Sequence, residues 1–168
     1  MSRTALIRAG GMAAVGGGIL RVAASFAPNV GPEVARQLLY LLIDVLLLLG
    51  VLGFYELRHG DIGRPGAVGF LLALIGLSVV RSSRAIPGVD LYPMGSLALV
   101  LGLLTLGVSA WKVKTLAVWV PVALLVSILA GLVGTVVGGA GWLFGLSGVA
   151  FGVAFAGLGH TVWSDVTS

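Results

Sequence analysis

The chain has 168 residues, 58% of them hydrophobic and 10% charged, whereas an average soluble domain carries about 25% charged residues. A water-soluble domain of this size has too little interior to bury so much apolar surface, so the composition excludes an ordinary soluble fold and favours membrane helices. The absence of cysteine excludes disulfides, thiolate metal sites and a cysteine nucleophile. The ten basic residues that give a net charge of +4 are spread along the chain, which argues against nucleic-acid binding.

Six apolar segments follow one another along the chain. A helix that crosses a bilayer needs about 20 mainly apolar residues, and this criterion predicts helices at residues 5–26, 36–57, 65–80, 91–111, 115–137 and 141–160. The third segment is the shortest, but the arginines at its two ends, Arg64 and Arg81, can reach the headgroups by snorkelling. Residues 1–168 are therefore predicted to form a single all-α domain, a polytopic integral membrane helix bundle with short loops rich in glycine and proline.

The first segment allows two interpretations. Arg8 and Arg21 enclose a short uncharged run, and Ala23-Ala24-Ser25 has the small residues of a signal-peptide cleavage site. The enclosed run, AGGMAAVGGGIL, is poorer in leucine than the apolar core of a typical signal peptide. We therefore expect a retained helix, with a signal peptide over residues 1–25 as the alternative.

The distribution of lysine and arginine predicts the orientation of the bundle. With six spans and an inside N-terminus, the basic residues on the inner side are Arg3, Arg8, Arg58, Arg64, Lys112 and Lys114. Those on the outer side are Arg21, Arg36, Arg81 and Arg84. Because basic residues favour the cytoplasmic side, both termini are expected in the cytoplasm. The expected location is a cell membrane, which we take to be a bacterial inner membrane.

Asp44 lies in the middle of the second predicted helix. A carboxylate in hydrocarbon costs at least ~2.5 kcal/mol, so it indicates a function or a specific partner. Arg36, Tyr40 and Asp44 recur at every fourth position and share one helix face. Arg21, on the first helix, is expected at a similar depth. These four residues form either a proton or cation site, or an interhelical contact in which Asp44 pairs with Arg21 or Tyr40 and fixes the packing.

Small residues recur at every fourth position in the first and last predicted helices. They are Ala9, Ala13 and Gly17 in the first, and Gly148, Gly152 and Ala156 in the last. Such stripes let two helices approach closely. We therefore expect both helices to be buried between neighbours or to form a subunit contact.

Residues Gly145-Leu146-Ser147-Gly148 resemble the GxSG stretch of rhomboid intramembrane proteases. In that family the serine attacks a peptide bond with the help of a histidine on a later helix, so the resemblance implies a nucleophilic role for Ser147. This sequence departs from the family after the motif, because it predicts no later helix. His160 lies on the same helix, about 20 Å further along at about 1.5 Å per residue, which is beyond the hydrogen-bond reach that a base requires.

The expected function follows from this sparse polar content. No phosphate loop, metalloprotease motif or dinucleotide fingerprint occurs, so we expect no metal site and no cofactor. We expect a small multi-pass membrane protein that is a non-enzymatic accessory or structural subunit. Its expected partners are the lipid bilayer and a second copy or another membrane protein. The alternative is a small transporter or channel-like protein that uses Asp44, and a remote alternative is a rhomboid-like intramembrane serine protease.

Overall fold

Five helices make up the part of the chain that a computed structural model describes, which is residues 3–26, 31–82, 91–137 and 141–167. They are α1 (Arg3–Phe26), α2 (Glu33–Ser82), α3 (Tyr92–Lys112), α4 (Trp119–Val136) and α5 (Trp142–Thr167). Each is long and apolar enough to cross a membrane. The predicted all-α class is confirmed for these residues, which contain no strand.

The second helix reverses its direction at Gly63. This residue has φ 60° and ψ −163°, a backbone conformation that essentially only glycine adopts. The rings of Tyr55 and Phe70 stack with 4.0 Å between their centroids, although these residues would be about 22 Å apart along a continuous helix. The two halves of α2 therefore lie side by side and antiparallel. We call residues 58–64 the elbow, and the end of the bundle where they lie the elbow end.

The prediction of six separate helices is not confirmed. The predicted segments 36–57 and 65–80 both belong to α2, because the backbone between them stays helical except at Gly63. Charged and polar residues made this stretch resemble a loop, but a helix that emerges from an apolar bundle can carry them. At the other end of the chain, α5 continues past residue 160 to Thr167. Thr161 and Ser164 sit in this extension and donate hydrogen bonds to carbonyls one turn earlier.

Glycine lets α1 pack between α2 and α5. A Cβ atom at Gly10 would lie 2.7 Å from the Cα of Gly53 in α2, so the two backbones are in direct contact. A Cβ atom at Gly18 would collide with the carbonyl oxygen of Gly152 in α5. Larger residues at these positions would separate the helices, which is why close packing in apolar bundles relies on small side chains.

The small-residue stripes lie in these contacts. Ala13 and Gly17 are buried, and a Cβ atom at Gly17 would lie 3.0 Å from the Cβ of Leu46 in α2; Ala9 is half-buried. In α5, Gly148 is buried against Ser25 of α1, and Gly152 and Ala156 contact Gly18 of the same helix. The stripes therefore serve the packing of this chain on itself.

The remaining helices complete the bundle around this centre. α3 packs along the second half of α2, where Cβ atoms at Gly69 and Gly76 would overlap its backbone. α4 packs on α5, with the ring of Trp119 lying against Gly157. Gly107 of α3 faces Pro121 of α4, so α3 and α4 are also in contact with each other. The largest side chains that this packing buries are Phe54, Phe155, Ile43, Leu103, Leu106, Val120 and Val162.

The outward faces of the helices are also apolar. Leucine, isoleucine and valine side chains are exposed along all of the first four helices, as for Ile19 and Leu129, which are 60% and 53% exposed. A monomer in water rarely exposes so much contiguous apolar surface. The surface is suited to hydrocarbon, where apolar side chains have no reason to turn inward.

The turn between α3 and α4 has a lysine at a left-handed position that is usually occupied by glycine. The N–H of Thr115 donates to the carbonyl of Ala110, and that of Lys114 to the carbonyl of Trp111, with N–O distances of 3.0 and 2.9 Å. This pair of bonds is the Schellman motif, in which the residue in the position of Lys114 adopts a left-handed conformation and is usually glycine. Lys114 accordingly has φ 58°.

Two glycines of α1 provide a matched test of the packing. Gly18→Ala should destabilise the protein by about 1–3 kcal/mol, because the new methyl group collides with the backbone of α5. Gly16→Ala is the control: a Cβ atom there has no neighbour within 4 Å, and alanine favours the helix by about 1 kcal/mol. Thermal unfolding in mild detergent measures both. Equal effects of the two substitutions would contradict the packing of α1 on α5.

Candidate functional site

Asp44 forms an ion pair with Arg81. Its Oδ2 lies 3.3 Å from the Nη1 of Arg81, at the end of the second half of α2. The reversal at Gly63 brings the two residues together. The midpoint in sequence between Asp44 and Arg81 lies between residues 62 and 63, and so does the midpoint between Tyr55 and Phe70. The ion pair therefore joins the two halves of α2 far from the elbow.

This ion pair is partly accessible. The side chain of Asp44 is 25% exposed and that of Arg81 is 46% exposed. A half-exposed pair is weaker than a buried one, because solvent or headgroups screen the charges and the arginine side chain loses conformational freedom. Opening the pair would leave a carboxylate within an apolar helix, which is costly in hydrocarbon.

Arg21 and Tyr40 lie next to this pair. The guanidinium carbon of Arg21 is 5.9 Å from the centroid of the Tyr40 ring, which is within the range of a cation–π contact. Tyr40 lies one turn before Asp44 on the same face of α2, so this contact is beside the ion pair. The expected partner of Asp44 was Arg21 through an ion pair or Tyr40 through a hydrogen bond. The residue in ion-pair contact is Arg81, and Arg21 contacts Tyr40 instead.

Arg36 is the fourth candidate, and its ion-pair partner is a different carboxylate. It forms an ion pair with Glu33 in the first turn of α2, whereas Asp44 forms its ion pair with Arg81. The four candidates therefore separate into an Asp44–Arg81 pair, an Arg21–Tyr40 contact and an Arg36–Glu33 pair. Arg81 was not among the partners predicted for Asp44. Asp44 and Arg81 are equally far along the chain from the reversal near Gly63. This symmetry would have identified the pair, but it can be used only when the position of the reversal is known.

Ser147 holds α5 against α4. Its hydroxyl donates to the carbonyl oxygen of Ser127 at 2.8 Å, and the two hydroxyl oxygens are 3.2 Å apart. His59 lies in the elbow and contacts the carbonyl of Glu56, and His160 is exposed further along α5. These are the two histidines of the chain, and neither contacts Ser147. The described geometry thus gives Ser147 a packing contact and does not assemble a nucleophile with a base.

A second group of charges lies at the elbow end. The Nε of Arg3 donates to Glu56 at 2.8 Å, which joins the start of α1 to α2. Arg58, whose side chain is only 18% exposed, pairs with Asp61 at 3.7 Å and with Asp165 near the end of α5. These ion pairs bring the beginning of α1, the elbow and the end of α5 to the same end of the bundle.

The cavity nearest to Asp44 among the described residues is apolar. A small apolar cavity of about 10 Å³ lies in the centre of the bundle. Its lining is Leu47, Leu48, Val51, Ala73, Leu74, Leu77, Leu99, Phe151 and Phe155. A cavity needs roughly 10–15 Å³ and several polar partners to hold one water molecule. This cavity therefore offers neither the space nor the hydrogen bonds for a hydrated ion.

Comparisons with protein-family models, with curated proteins and with solved structures found no match to this chain.

The Asp44–Arg81 pair can be tested with two double-mutant cycles. We expect Asp44→Asn and Arg81→Gln to be coupled by about 0.5–1 kcal/mol in the free energy of unfolding, because the pair is real but partly exposed. The matched cycle pairs Asp44→Asn with Arg21→Gln and should give a smaller coupling, since Arg21 is not in ion-pair contact with Asp44. Thermal unfolding in detergent measures both cycles. A larger coupling with Arg21 would reverse the assignment of the partner.

Proposed function

We propose that this chain is a multi-pass integral membrane protein that acts as a non-enzymatic accessory or structural subunit. The observation that carries the proposal is the glycine-packed interior, in which helix backbones touch and the cavity near Asp44 is apolar and no larger than about one water molecule. A translocation path or an active site needs polar groups around a space that a substrate can enter. A subunit that stabilises or positions other membrane proteins needs neither.

The proposed topology has six crossings, two of them made by α2. The reversal at Gly63 supports this topology, because it separates α2 into two antiparallel halves. The second half, residues 64–82, would be about 28 Å long, close to the ~30 Å thickness of the hydrocarbon core. We propose that α1 is retained, since a signal peptide cleaved near Ser25 would leave the glycine contacts of α2 and α5 without a partner.

In this topology both ends of the chain face the cytoplasm, in a bacterial inner membrane. The contacts of Arg3 with Glu56 and of Arg58 with Asp165 support a common side for the start of α1, the elbow and the end of α5. The excess of lysine and arginine at this end supports the cytoplasmic assignment. Of the outer-side arginines expected from sequence, Arg84 lies outside the described residues.

The topology is tested by single cysteines in this naturally cysteine-free chain. Thr4→Cys and Gly60→Cys should react with an impermeant thiol reagent from the same side of the membrane, and Gly141→Cys from the opposite side. Both glycines can accept the side chain, because a Cβ atom at either has no neighbour within 4 Å. Labelling of Gly60→Cys from the side of Gly141→Cys would contradict the reversal of α2 within the membrane.

The subunit role is tested with protein purified in mild detergent. We expect its native mass to exceed that of the 17.1 kDa chain, as a multiple of it or as a sum with a second membrane protein. In liposomes we expect no flux of protons or cations above that of empty vesicles. A chain that is monomeric in both detergent and native membrane extracts would contradict the subunit role.

A transporter or channel-like function is the second candidate, and the partial exposure of Asp44 favours it. A carboxylate whose side chain is 25% exposed could exchange Arg81 for a transported proton or cation. Asp44→Asn should then abolish a flux that is measurable in liposomes. Glu33→Gln is the matched control, because it neutralises another arginine-paired acid of the same helix, in its first turn. Flux that disappears only in Asp44→Asn would establish this function in place of the first.

A further inference from the structure

The turn between α3 and α4 has positive charge that no carboxylate of the described residues neutralises. Each acidic side chain in the described part of the chain is paired with an arginine, and these acids are Glu33, Asp44, Glu56, Asp61 and Asp165. Lys112 and Lys114 are exposed, and neither has a carboxylate partner within those residues. The turn therefore presents two free cations close together.

The turn also has a concave surface with apolar and aromatic walls. A shallow, open depression of about 390 Å³ is lined by Trp111, Lys114, Thr115, Leu116, Ala117 and Val118. Trp111 is 44% exposed, and Trp119, just past the depression, is 46% exposed. Tryptophan is enriched at the boundary between hydrocarbon and water, where its ring meets the headgroups. The depression thus combines a cation with the side chains expected at headgroup depth.

The backbone of Lys114 adds a third, independent observation. In a chain with 27 glycines, the left-handed position of this turn, which usually has glycine, is a lysine. A side chain at φ 58° opposes the local stability of the turn, since only glycine adopts this conformation without strain. Strained residues of this kind cluster at functional sites, where the use of the side chain offsets the strain. The use available here is its charge, since Lys114 lines the depression.

We propose that this depression binds the headgroup of an anionic phospholipid. Lys114 would donate hydrogen bonds to the phosphate, and Lys112 would add a second positive charge two residues earlier. Trp111 and Val118 would contact the apolar part of the lipid below the headgroup. A phospholipid fits this site better than a soluble phosphate, because the turn joins two helices long and apolar enough to span a membrane. The inference rests on the proposed membrane placement of these helices.

The test uses the whole protein in an uncharged detergent and measures its Tm. Short-chain phosphatidylglycerol should raise the Tm, whereas short-chain phosphatidylcholine should have little effect, and the rise should shrink at high salt because the attraction is electrostatic. In Lys114→Gly we expect a higher Tm than that of the native chain without lipid, since glycine fits the left-handed turn. The same variant should lose at least half of the rise that phosphatidylglycerol causes.

Three controls define the outcomes. Lys114→Arg retains the positive charge and should retain the rise in Tm that phosphatidylglycerol causes. Arg64→Gln removes an exposed cation outside the depression, in the elbow, and should retain this rise as well. An equal rise in Tm with inorganic phosphate or glycerol 3-phosphate would overturn the assignment to a lipid. No rise with phosphatidylglycerol, or an undiminished rise in Lys114→Gly, would overturn the site. Failure of the proposed membrane placement is distinguishable, because the protein would then remain soluble and monodisperse after the detergent is removed.

Discussion

Direct contact between helix backbones determines most of this structure. Apolar side chains gain little by leaving a lipid for a protein interior, so helices in hydrocarbon associate through close packing and a few polar contacts. Here α1 touches α2 at Gly10 and Gly53, and touches α5 at Gly18 and Gly152. The same geometry recurs where α3 meets the second half of α2 at Gly69 and Gly76. The high glycine content is thus a requirement of the packing.

Two groups of charges in the described residues join helices at the periphery of this packed interior. One group, at the elbow end, joins the start of α1 and the end of α5 to α2 through Arg3 and Arg58. The other joins the two halves of α2 through Asp44 and Arg81, with Arg21 over Tyr40 beside it. The first group connects α2 and α5, which both pack on α1 through glycine contacts, and the second connects two halves that the reversal at Gly63 brings together. Their arrangement favours a structural role for the charges, whereas the accessible side of Asp44 keeps transport as the second candidate.

The sequence was sufficient for the class of the fold and for several helices. Hydropathy alone predicted α3 at residues 91–111, and the structure has it at Tyr92–Lys112. It could not separate a polar loop from a helical elbow, because charged residues occur in both once a helix leaves the apolar bundle. The partner of Asp44 was missed for a different reason: the register between two uniformly apolar segments depends on where the chain reverses, and only the conformation of Gly63 determines that point. The conformation of Lys114 was also beyond sequence reasoning, since nothing in its composition marks a left-handed lysine.

The ion pair across α2 has a consequence for the biogenesis of the protein. Chains are made from the N-terminus, so Asp44 leaves the ribosome well before Arg81 does. During that interval the carboxylate has no counter-ion from its own hairpin, and its transfer into hydrocarbon alone is unfavourable. In the proposed topology the first half of α2 would therefore gain a stable membrane position only when the second half follows and supplies Arg81. In the proposed six-crossing topology the two halves would enter the bilayer as one helical hairpin, because the reversal at Gly63 joins them.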